Sequence, residues 1–321
     1  MVRIARFSYI FVMEYSQTDL QMQISPDFVI GSAIALVTAF FWAAGVNVYK
    51  SQGNEATPLA INALKMWVSL AVMTFLVVIP FRTTAFVMPF QSVLFLASSV
   101  TVGLVIGDLA FLIAQDRIGV SYAYPIATTY PIATYLISIY VVNEEILLTR
   151  VLGILLAVVG VMLISREQRN SGIDDGARSL DRLGLVLALF SSICWSVGTV
   201  LLQLGVADVD PIDANFVRMI FGSGLMVPIF LGAVHRGMPT PSKRATKIVF
   251  IGAFFGMGLG ALLYTYAVKL IGATVAAVLG SVSPLFALPM SIFFLKERFS
   301  HKSILGVILT VTGVILVVLI A

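Results

Sequence analysis

Charge is what this 321-residue sequence has least of. Asp, Glu, Lys and Arg make up only 11% of it, less than half the share of about 25% usual in soluble globular proteins. A chain so poor in charge cannot cover a water-facing surface, which excludes a large soluble core. Cysteine is nearly absent: Cys194 is the single copy, so no internal disulfide can form, and nothing follows about redox compartment. The two histidines, His235 and His301, lie near loops without zinc-like spacing to acids, so no metal site is expected. Neither a G-x-S-x-G elbow nor a phosphate-cradling P-loop occurs. No catalytic residue and no cofactor is therefore expected, and ATP-driven transport by this chain alone is not. The net charge of +4 sits in loops, where it suits a membrane surface better than nucleic acid.

What the sequence has instead is oil. Hydrophobic residues make up 59%, and the mean hydropathy is +1.01. Ten apolar runs, near 28–48, 58–80, 92–115, 121–142, 149–165, 183–204, 211–234, 247–268, 273–295 and 303–321, approach the roughly 20 residues that cross the hydrocarbon core as helix. A membrane β-barrel shows alternating segments of about 10 residues, and these runs do not alternate. The expected fold class is an all-α integral membrane protein with ten transmembrane helices, because in lipid only helices and closed barrels satisfy their own backbone. Residues 1–26 carry a short apolar patch, "FSYIFVM", without a small-residue cleavage site. They read as an N-terminal extension outside the fold or as an early start codon, with Met13 or Met22 as alternatives, and not as a signal peptide.

A search for internal repeats organises the chain. At a constant offset of 153 residues, Gly31 falls on Gly184, Trp42 on Trp195, Gly45 on Gly198, Pro58 on Pro211 and Asn62 on Asn215. Further along, Gly103 meets Gly256, Gly107 meets Gly260, Gly119 meets Gly272, Pro131 meets Pro284, Glu144 meets Glu297 and Gly153 meets Gly306. Two five-helix repeats, 27–168 and 182–321, flank a polar linker, 169–181, inside "REQRNSGIDDGARSLDR". Five is odd, so the second repeat enters the membrane from the opposite side. The halves are then a 5+5 inverted repeat about a pseudo-two-fold axis in the membrane plane, a design that places the substrate site near the midplane.

One stretch carries a family resemblance. "SPLFALPMSIFFLKERFSHKSILGVILTVTGVILV" (Ser283 to Val317) and its counterpart "YPIATYLISIYVVNEEILLTRVLGILLAVVGVMLI" (Tyr130 to Ile164) each show a proline early in a helix and a glutamate at its end. A glycine-spaced helix follows. This resembles the repeat signature of the drug/metabolite transporter superfamily, specifically its ten-helix EamA-type members. The resemblance covers roughly 27–321 and implies secondary transport of small metabolites such as amino acids, often outward, across the cytoplasmic membrane. A small-molecule substrate and the lipid bilayer are the expected partners, with proton or counter-solute coupling. Lys and Arg cluster on the odd loops, which by the positive-inside rule puts those loops in the cytoplasm, whereas the resemblance implies cytoplasmic termini.

Within the spans a few polar groups stand out. Pro125 and Pro131 interrupt the fourth run, and Pro284 and Pro289 the ninth. The backbone carbonyls that a proline frees line a cavity or mark a plain kink. Tyr124, Thr128, Tyr130, Ser281 and Ser283 accompany these prolines. Trp42, Trp195, Tyr264 and Tyr266 offer either a stacking surface or helix packing. The glycine pairs Gly103/Gly107 and Gly256/Gly260 favour close helix approach. Charge within a span is costly and marks a pathway or an ion pair. Lys65 sits one turn after Asn62, and Arg218 one turn after Asn215, at equivalent repeat positions. Asp108 lies at a depth matching Lys65 and is either its counterion or the carrier of a coupling proton. Its own repeat mate is Ala261. Arg218 therefore lacks the matching acid, and either snorkels to the interface or meets an anionic group of the substrate.

Overall fold

The computed structural model describes residues 25–78, 86–170, 181–286 and 301–319. Pro289, Glu297, most of the extension and residues 171–180 of the linker lie outside the described residues. The described chain is helical throughout, with no strand. Helices α1 (Pro26–Ser51), α2 (Pro58–Val78) and α3 (Phe90–Ile118) are followed by the short α4 (Val120–Ala127) and α5 (Tyr130–Val141), then α6 (Leu148–Asn170). The second half repeats them as α7 (Arg182–Val206), α8 (Pro211–His235), α9 (243–271), α10 (273–286) and α11 (His301–Leu319). Among the described residues each apolar run of the sequence falls on these helices, the fourth and the ninth each being broken by a turn.

Helix starts follow from local chemistry. Ser25, Asp181, Asp210 and Ser242 each accept a backbone N–H of the first turn through a side-chain oxygen, which satisfies donors that a helix end leaves unpaired. Proline occupies the first turn of α1 and α8, where its missing N–H costs nothing. Asp181 also accepts from Arg117 Nη1 at 2.8 Å. That hydrogen bond holds its carboxyl below the ordinary range.

The repeat recurs in the irregularities. Both α3 and α9 contain a π-helical stretch, Val100–Gly107 and Phe254–Leu259, at equivalent positions. Gly119 ends α3 with φ 80° and ψ 160°, and Gly272 ends α9 with φ 75° and ψ 168°. Side chains rarely adopt that backbone region, and here it reverses the chain with no loop. The fourth run breaks at Thr128–Thr129 and the ninth at Val282, again equivalent. The expected interruption is thus present in both. In the fourth run it lies between the two prolines, and Pro131 opens α5 instead of kinking it, whereas in the ninth it precedes Pro284. Thr128 Oγ1 donates to the carbonyls of Tyr124 and Pro125 at 2.9 and 3.1 Å, and Ser281 Oγ to that of Val278 at 2.8 Å. These hydroxyls satisfy carbonyls around the breaks.

Contacts between the halves are made twice. A Cβ on Gly103 would lie 3.4 Å from Gly198 Cα, and one on Gly45 would lie 3.7 Å from Gly256 Cα. Each of those contacts is the repeat image of the other. A Cβ on Gly153 would come within 2.8 Å of the Gly313 carbonyl, and one on Gly160 within 2.6 Å of the Gly306 carbonyl. In that pairing numbers rise along α6 as they fall along α11, so two equivalent helices run antiparallel. The two-fold axis is therefore perpendicular to the helices and lies in the membrane plane: the halves are inverted. The outer surface is apolar, with Phe75 69%, Val78 72% and Leu231 56% exposed, as suits contact with lipid tails. Among the described residues, six helical stretches are long and apolar enough to cross a membrane unaided. The interior seam between α2 and α8 is filled by Met66, Met73, Met219 and Met226, all fully buried, where Met66/Met219 and Met73/Met226 are repeat mates.

Glycine substitutions test this backbone. Gly119→Ala and Gly272→Ala, at positive φ, should each lower stability by about 1–3 kcal/mol. Gly224, inside α8 with open space around its Cα, should become slightly more stable as Ala, by about 0.5–1 kcal/mol. Unfolding temperatures in detergent, compared across the three variants, check the ordering.

Candidate functional site

A cavity with about 120 Å³ of room for water-sized spheres lies between the halves, walled by α1–α5 and α7–α10. Its lining is built on the repeat. Trp42/Trp195, Lys65/Arg218, Asp108/Ala261, Phe111/Tyr264 and Tyr130/Ser283 are all mate pairs with both members on the wall. The pseudo-two-fold axis therefore runs through the cavity. Two aromatic pairs meet across the interface with their rings tilted by 49°: Trp42 against Tyr264 with centroids 4.8 Å apart, and Trp195 against Phe111 at 5.2 Å.

In the first half the charges are resolved locally. Lys65 Nζ donates to Asp108 Oδ2 at 2.5 Å, and the pair is buried, with side chains 8% and 9% exposed. Trp195 Nε1 donates to the other oxygen, Oδ1, at 2.8 Å. The Lys65 ammonium also sits 5.1 Å from the centroid of the Tyr49 ring, a favourable placement over the negative face of an aromatic. Both carboxylate oxygens of Asp108 are thus engaged, and Lys65 is neutralised.

The second half differs. Arg218 is 4% exposed, turned into the cavity, and does not snorkel to an interface. Its Nη1 donates to Asn215 Oδ1 and Thr265 Oγ1, both at 3.2 Å. Nε is buried without a hydrogen-bond partner, and Arg218 forms no ion pair with any described carboxylate.

Of the residues singled out from sequence, Trp42, Lys65, Asp108, Tyr124, Thr128, Tyr130, Trp195, Arg218, Tyr264 and Ser283 line the cavity. Tyr124 and Ser283 join hydroxyls across the halves at 2.5 Å. Three do not reach it. Asn62 Nδ2 donates to the carbonyls of Leu104 and Val105 at 3.2 Å each, in the π-helical stretch of α3, where the widened helix leaves carbonyls in need of donors. Asn215 orients Arg218 from behind. Tyr266 packs beside the methionine seam, because two residues along a helix from Tyr264 it points roughly to the opposite side.

Other wall residues escaped sequence reading: Tyr49, Phe111, Ser99 and Thr199. Phe111 was within reach as the repeat mate of Tyr264. Tyr49 and Thr199 have mates, Leu202 and Val46, of different chemistry, so the offset alone does not single them out.

The sequence matches the EamA-like transporter family twice, over residues 29–166 and 182–319. An uncharacterized transporter of Archaeoglobus fulgidus is 27% identical over 73% of this chain and 78% of its own. A Lactobacillus johnsonii protein named provisionally for sugar uptake is 25% identical over 67% of this chain and 73% of its own. A solved crystal structure with 16% identity superposes with a TM-score of 0.72, covering 92% of this chain and 98% of that one. It carries the same fold.

The buried ion pair makes a direct prediction. Asp108→Asn leaves the Lys65 charge buried without a counterion and should cost about 3–5 kcal/mol, whereas Lys65→Met combined with Asp108→Leu should recover most of that loss. Detergent-solubilised thermal unfolding of the two variants measures both. A single variant as stable as the unmodified protein would refute the structural role of the pair.

Proposed function

The chain belongs to the EamA-like transporter family, and from that premise we propose a secondary carrier of a small organic metabolite, of amino-acid size, working by alternating access. It is a multi-pass membrane transporter. Alternating access is supported by one observation, that the cavity straddles the axis relating the inverted halves. A site on that axis presents equivalent walls to both membrane faces, so rocking one half against the other transfers exposure from one face to the other. The methionine seam between α2 and α8 suits such motion, since unbranched thioether side chains repack at low cost. A tie between halves accompanies it. Thr274 Oγ1 at the start of α10 donates to Glu144 Oε2 at 2.5 Å, and Arg150 holds the other oxygen at 2.6 Å. Rocking has to release that tie.

The residues on the cavity wall form the substrate pathway, and the cytoplasmic membrane is the location. Coupling is assigned to a counter-solute, making the protein an exchanger or exporter. Asp108, the acid in the cavity wall, already gives both its oxygens to Lys65 and Trp195, which argues against a proton carrier there.

Purified protein in liposomes, preloaded with each member of a metabolite panel, should show saturable uptake of labelled solute with a transient counterflow peak. Linear, non-saturating flux would make it a passive channel. Recovery of chemically altered solute would make it an intramembrane enzyme. Either result would overturn the carrier reading.

A further inference from the structure

The two half-sites of the cavity are built from equivalent positions, and the first half already contains a bound carboxylate: its own. Asp108 is held by a cation, Lys65 at 2.5 Å, and by an indole N–H, Trp195 Nε1 at 2.8 Å. Applying the repeat gives the corresponding trio in the second half: Arg218 for Lys65, Trp42 for Trp195, and Ala261 for Asp108. The cation and the indole are retained. The carboxylate is replaced by a methyl group.

Both donors remain without the acceptor that their mates have. Arg218 Nε is buried and unpartnered, and Trp42 Nε1 has no acceptor among the described residues. Gly260 leaves room for that indole, since a Cβ there would stand 3.2 Å from Trp42 Nε1. Its mate Gly107 serves Trp195 similarly, with a Cβ that would lie 3.1 Å from the indole Cδ1. Ala261, Trp42 and Arg218 all face the cavity. The charged groups of the cavity wall are Lys65, Asp108 and Arg218, and with the first two paired the site carries one uncompensated positive charge. Burying such a charge in membrane is costly without a partner.

We propose that Arg218 and Trp42 form a carboxylate subsite, in which the carboxylate of a small organic monoanion takes beside Ala261 the place that Asp108 takes in the first half. The proposal rests on the carrier reading above and names its substrate class. A guanidinium meets a carboxylate through two parallel hydrogen bonds, and the indole N–H supplies a third. The remaining walls, with Tyr264, Phe111, Tyr130 and Trp195, favour an apolar or aromatic body on the ligand. A zwitterion fits less well than a simple acid, because the one acid on the wall is already consumed and no anionic group is left for an ammonium.

Three probes separate the chemistry: 3-phenylpropanoate, its neutral amide, and phenylalanine. Binding to the purified full-length protein in detergent is followed by indole fluorescence and by the ligand-dependent rise in unfolding temperature. The acid should bind saturably, with the amide at least about tenfold weaker and phenylalanine between them. Arg218→Gln should abolish the preference of acid over amide while folding as well as the unmodified protein, because it removes an uncompensated charge. Arg218→Lys should retain a reduced preference. Trp42→Phe, which keeps an aromatic ring against Tyr264 but loses the N–H, should weaken the acid by several-fold and leave the amide unchanged. Equal affinity for acid and amide, or an Arg218→Gln variant that binds the acid undiminished, would overturn the subsite. Saturable counterflow of a neutral sugar or the amide with no preference for the acid would sink the subsite and leave the carrier standing. Linear flux of all probes would sink the carrier itself.

Discussion

A five-helix unit packed against an inverted copy of itself has each cross-half contact made twice, and that duplication governs the rest of the molecule. Gly45 on Gly256 and Gly198 on Gly103 bring α1 against α9 and α7 against α3 at backbone contact. In hydrocarbon there is no hydrophobic force to draw helices together, so such close approach carries the association. Once these crossings are set, the aromatic pairs Trp42–Tyr264 and Trp195–Phe111, whose tryptophans lie about one turn from the crossing glycines, must face each other across the axis. The cavity is the space left between them.

The same constraint explains the local irregularities. A π-helical stretch in each of α3 and α9 widens the helix where the glycine crossings occur, and it needs donors for its carbonyls. Asn62 supplies them to Leu104 and Val105, while in the second half Ser69 donates to Met257 at 3.2 Å. Equivalent backbone needs are met by non-equivalent side chains. The repeat is thus strict where the backbone is constrained and free where only one donor among several is required.

That freedom has consequences in the cavity. With strict symmetry the two half-sites would carry equal and self-compensated charge. Replacing an acid by Ala261 on one side only leaves a neutral pair facing a lone guanidinium. The walls then distinguish one end of a bound solute from the other, although the scaffold that holds them does not.

By itself the sequence determined the fold: ten apolar runs, a constant offset of 153 residues and an odd number of spans per half admit hardly any architecture but an inverted repeat in lipid. It also determined that Lys65 and Asp108 lie at one depth, because helix rise is uniform and both count from the same face. Depth is a one-dimensional quantity that residue number reports. Facing direction is not. Only the tertiary structure decided that Asn62 turns to the α3 carbonyls and Tyr266 to the methionine seam, that Tyr49 covers the Lys65 ammonium, and that Arg218 points inward and not to the interface. Those outcomes depend on helix rotation, which is set by partners distant in sequence: Gly198, Gly256 and the wide turns of two π-helical stretches.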